Sequence, residues 1–132
     1  VLMLSLVTTL LACSKSAADN PDFPDGIYTG TFQRMHQENS PLASVTINFN
    51  FPDWTGASNI NHYPALGNGT FKYVHDALTF ENGSVWTADF DWTLILKDSY
   101  IDRIKGDSLI FIKSYSNGWV DVYKLKKQPD NE

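Results

Sequence analysis

A single cysteine stands in a chain of 132 residues, and with no second thiol a disulfide framework is excluded. Positive charge is scarce too. Ten Lys and Arg face 15 Asp and Glu, for a formal net charge of −5. Nucleic-acid binders need a basic surface to displace counterions, so no nucleic-acid partner is expected. No apolar run reaches the roughly 20 residues that cross a bilayer as a helix. No stretch holds helical spacing for any length, and there is no repeat or low-complexity tract. Catalytic signatures are missing as well. No serine sits in Gly-x-Ser-x-Gly, so nucleophilic catalysis has no candidate. Gly67-Asn68-Gly69 lacks the lysine and the following helix of a phosphate loop. The chain is expected to work without catalysis and without a cofactor.

What is present begins at 1–12, an uncharged stretch in which Ser5, Thr8 and Thr9 are the only polar residues. Its length and texture are those of a signal-peptide apolar segment, with the small Ala12 placed for cleavage. Leu10-Leu11-Ala12-Cys13 resembles the lipobox of bacterial lipoproteins. The resemblance implies that Cys13 is lipidated on its thiol, that the chain is cut before it, and that the new amino group is acylated. It also implies a place in the cell envelope. Ser14 rather than Asp after the cysteine favours the outer membrane, with the side left open. The basic stretch that precedes the apolar run in that family is not seen before Val1. Several acyl chains hold firmly, at about 0.8 kcal/mol per buried CH₂. The expected organisation is a signal peptide at 1–12, a polar lipid-anchored tether at 13–25, a folded domain at 26–127 and a loose tail at 128–132.

The folded part alternates with period two. In 26–34, Tyr28, Gly30 and Phe32 share a face; in 43–51, Val45, Ile47, Phe49 and Phe51 do. Further strands are expected at 70–74, 77–81, 90–97, 100–105, 108–114 and 119–126. Turn residues separate the later ones: Asp98-Ser99, Gly106-Asp107 and Asn117-Gly118. Segment 52–69, rich in Pro, Gly and Asn, reads as one long functional loop. About eight strands, the last four joined by short turns, predict an all-β fold, a small antiparallel meander barrel, with a β-sandwich as the alternative. Gly26-Ile27-Tyr28 resembles the Gly-x-Trp that opens lipocalin and calycin barrels, with Tyr28 in place of the tryptophan. The arginine those families carry on the last strand is absent from 119–127. Eight short strands leave room for little beyond side chains. Phe49, Phe51, Phe90, Trp92 and Leu94 are expected to fill the interior.

Aromatic residues make up 14% of the chain, more than a small core needs, which suggests contact with a ligand. Trp54, Asn59, Asn61, Tyr63, Trp86 and Trp119 are the candidate ligand-binding residues: flat rings stack on sugar faces and amides bond hydroxyls. Strand 108–114 is apolar on both faces, so Ile110 and Ile112, with Ile95, Val120 and Val122, are candidates for an outward interface. His62, His75 and Asp76 offer metal-ligand types without a fixed spacing, and no metal is expected. Asp89 and Asp91 share one face of an expected strand, which reads as a solvated face rather than an acid–base pair. These features describe an envelope protein that binds a small ligand, a glycan or a partner through loop 52–69. The rivals are a lipocalin-like carrier of an apolar molecule and a structural subunit of an outer-membrane complex.

Overall fold

The computed structural model describes residues 23–74 and 76–130. The expected signal peptide, Cys13, most of the tether and His75 lie outside the described residues.

Eight strands follow in chain order: β1 (Gly26–Met35), β2 (Ala43–Asn50), β3 (Asp53–Ser58), β4 (Asn68–Val74), β5 (Ala77–Asn82), β6 (Asp98–Lys105), β7 (Ser108–Ser114) and β8 (Val120–Lys127). Each pairs antiparallel with the next, and β1 pairs with β8, so the sheet closes into a barrel. β1 makes this possible by serving two neighbours, β2 along 26–32 and β8 along 28–35. At Gly30 the seam is too tight for any side chain: a Cβ there would lie 1.9 Å from the Lys124 carbonyl oxygen.

The interior is packed with rings. Phe111 stacks on Tyr123 with centroids 4.4 Å apart, and Tyr100 meets Phe111 edge-on at 5.4 Å. Phe49, Phe71 and Phe80 continue the column. Phe23, placed by the sequence in the tether, enters the barrel end and lies 4.9 Å from Phe49 and 5.1 Å from Phe71. Its neighbours tie down the same end. Tyr28 donates to the Pro24 carbonyl at 2.6 Å, and Asp25 accepts from the Phe51 N–H at 3.1 Å. The C-terminal margin of the domain is held at this same end: Gln128 donates through its backbone to Ile27 and through its side chain to Thr29.

The strand count matches the sequence reading, but one strand is exchanged. The strand expected at 90–97 is a loop with a single 3₁₀ turn, Trp92–Leu94. The Asp91 carboxylate caps that turn by accepting from the Thr93 N–H at 2.9 Å, a local bond that competes with strand pairing. The alternation of Phe90, Trp92, Leu94 and Leu96 therefore does not describe a ladder. Leu96 is buried, while Trp92 is 48% exposed. The missing strand is β3, inside the segment read as a long loop. Gly56 and Ala57 give β3 too little side chain to show a period.

The two barrel ends differ. Three tight connections, after β2, β4 and β6, lie at the end where Gly26 enters. The longer ones, 36–42, 59–67, 83–97 and 115–119, all gather at the other end. That loop-rich end positions the candidate site. β3 and β4 pair only over 53–55 and 68–70, so β3 runs on free of β4 and loop 59–67 folds against it.

Candidate functional site

Arg34 closes the loop-rich end. The inward parity of Tyr28 and Phe32 carries it to the mouth, where its side chain is fully buried. Nε donates to Asp121 Oδ1 at 2.7 Å and Nη2 to Asp121 Oδ2 at 2.9 Å. Nη1 donates to Thr93 Oγ1 at 2.9 Å and Asp91 Oδ2 at 3.2 Å, and Nη2 also reaches the Thr93 carbonyl. The rings of Tyr115 and Trp119 lie 5.1 Å from the guanidinium carbon. Tyr115 donates to Asp121 Oδ2 at 2.8 Å.

Burial works against charge on Arg34, but the Asp121 carboxylate outweighs it and holds the guanidinium ionised. Burial, then Asp121, pushes the Tyr115 hydroxyl up, so it stays a donor. Burial opposes ionisation of Asp91 too, yet bonds from Thr93 and the charge of Arg34 hold its carboxyl below the usual range. With its donors engaged, Arg34 is a clamp that pins loop 83–97 over the barrel rather than an open anion site.

Beside the clamp lies a groove of about 180 Å³ between loops 59–67 and 83–97. Ile60, Asn61, His62, Pro64, Leu66 and Trp86 line it, over a floor at Gly56. Gly56 leaves that floor open: a Cβ would press on Leu66 and on the Thr46 carbonyl at 3.2 Å. Trp86 is fixed by its indole N–H, which donates to Asn82 Oδ1 at 3.0 Å. His62 stacks on Phe90 with centroids 4.0 Å apart, and Trp86 meets both rings edge-on. The two loops touch at Gly67, where a Cβ would collide with Ser84 Oγ. The exposed Asn61 amide has no protein partner among the described residues. Asp89 borders the cluster. Its carboxyl is held below the usual range first by a hydrogen bond from Thr87, with His62 adding a smaller electrostatic pull.

The structure thus brings Asn61 and Trp86 together and adds His62. The other candidates part from them. Trp54 is 1% exposed within β3, donating to the Glu81 carbonyl at 3.3 Å, so it is core and not a ligand platform. Tyr63 is buried as well: it packs on Phe32 at 5.0 Å, and its hydroxyl accepts from the Arg34 N–H. Asn59 spends its side chain on the Ser44 N–H at 2.8 Å and ties the loop to β2. Trp119 belongs to the clamp. Asp89 and Asp91 share no strand face. Among the described residues no three metal-ligand side chains converge. Ile110 and Ile112 do face outward, with Ile101 and Val122 beside them, whereas Ile95 is buried.

Three buried charges escaped the sequence reading. Arg34 and Asp121 follow the inward parity of their strands, which was the available signal. So does Asp102 on β6, which is 6% exposed, with neither carboxylate oxygen bonded. Burial, with Asp76 nearby, pushes its carboxyl up to about 6.

Comparisons with family models, with curated proteins and with solved structures find no match.

Proposed function

We propose that this chain is a lipid-anchored protein of the outer membrane that works by binding rather than catalysis, with the groove at Asn61, His62 and Trp86 as its ligand site. Acylated Cys13 would hold it to the envelope. The observation that carries the reading is the junction of an oriented indole, an unpaired amide and an imidazole around one cavity at the loop-rich end. A ring face suits the apolar side of a sugar, and amide and imidazole groups suit its hydroxyls. The cavity is smaller than the roughly 300–1,000 Å³ typical of drug-sized sites, which favours a single sugar ring of a glycan over a bulky amphiphile. The filled barrel interior supports the groove over the lumen as the place where a ligand binds.

A glycan array probed with the labelled protein tests this. Binding to a defined subset of sugars that disappears in Trp86→Ala is expected. No binding to any sugar, or binding indifferent to that substitution, counts against it. Mass spectrometry of the natural product tests the anchor separately: an unmodified Cys13 thiol would remove it.

A further inference from the structure

The outer face of β6, β7 and β8 has a charge pattern opposite to that of the chain. Arg103 and Lys105 on β6 and Lys124 and Lys126 on β8 all point outward and are exposed. Register sets them in two rows, Arg103–Ile110–Lys124 and Lys105–Ser108–Lys126. A third row, Ile101–Ile112–Val122, is apolar, and Ile101 is 70% exposed. Lys127 adds a fifth cation at the rim over Gly26. Four of the ten basic residues of an acidic chain therefore share this outer flank, with Lys127 at its edge. Asp107 takes up part of this charge, 3.9 Å from Lys126, but Arg103, Lys105 and Lys124 face no carboxylate partner among the described residues.

The position of this flank says what it meets. The cations lie toward the barrel end with the tight turns, where the chain enters at Phe23 and Gly26. Phe23 lies ten residue steps beyond Cys13, so an anchor at Cys13 would keep this end within roughly 35 Å of the lipid. We infer that the lower flank of β6–β8 docks on an anionic lipid surface, with Arg103, Lys105, Lys124 and Lys126 against the headgroups and Ile101 and Ile110 at the boundary. This rests on the lipid-anchor reading and extends it. The docked barrel would turn its loop-rich end, and the groove, away from the membrane.

Co-sedimentation with vesicles tests the docking apart from the anchor. The full chain carrying Cys13→Ser has no acyl group, and its residues 1–12 are common to every variant compared. Vesicles of phosphatidylcholine alone are set against vesicles in which about a third of the lipid is phosphatidylglycerol. Binding should require phosphatidylglycerol, weaken with salt, and fall about tenfold in Lys124→Glu/Lys126→Glu. Lys72→Glu on β4, outside the flank, should leave it unchanged. Equal binding to both vesicles, no binding, or indifference to the Lys124/Lys126 exchange would overturn the inference. So would tighter binding to a DNA oligonucleotide than to the anionic vesicles. Unfolding curves of the variants, all changed at exposed positions, should match the parent.

Discussion

Arg34 and Asp121 stand directly opposite each other across the seam between β1 and β8, joined by two hydrogen bonds of 2.7 and 2.9 Å. The last strand meets the first at this pair, and the pair also holds loop 83–97 through Asp91 and Thr93. One buried interaction therefore serves both barrel closure and the wall of the groove.

Asp121→Ala leaves a buried guanidinium without its main partner. A loss of about 3–5 kcal/mol is expected in urea unfolding. The double variant Arg34→Met/Asp121→Leu should recover much of it, because no unpaired charge remains. A single variant as stable as the parent would show the pair to be incidental.

Asp102 makes stability depend on pH. Its carboxyl titrates near 3.8 when exposed and near 6 when folded. Between those values the native state holds more protons than the unfolded one, so stability falls as pH rises. The loss is complete above about pH 6 and amounts to at most about 3 kcal/mol. Asp102→Asn should match the parent near pH 4 and exceed it at pH 7. Parallel denaturation curves across that range would remove the effect.

Phe23 fills the end of the barrel against Phe49, Phe71 and Tyr73. Phe23→Ala should cost about 3 kcal/mol, the usual scale for a buried ring. Thermal unfolding reads this directly. No change would mean that the ring packs without holding the fold.

Much of the fold was legible because alternation is strict where one strand face is fully buried, as in β2. Strands joined by two-residue turns, such as β6 and β7, have no choice but to pair, while closure of β1 onto β8 follows from the number of twisted strands. Alternation failed at Phe90, Trp92, Leu94 and Leu96, where it arose in a loop that Asp91 caps and Arg34 pins. It also failed in β3, where Gly56 and Ala57 are too small to declare a face. The candidate site was half legible. Asn61 and Trp86 stood out by type, but Trp54 and Tyr63 drew attention for the same reason and serve the core. Arg34, Asp102 and Asp121 carry no signal by residue type, since charge usually marks a solvated position, and only their parity on β1, β6 and β8 places them inside.

The most direct test of the proposed ligand site is a nuclear magnetic resonance titration with a panel of sugars. Saturable shifts are predicted at the Asn61 amide, the His62 ring and the Trp86 indole, all lost in Trp86→Ala while the barrel signals stay in place. Saturable binding that leaves those three positions unmoved, or that survives the loss of Trp86, would contradict the account.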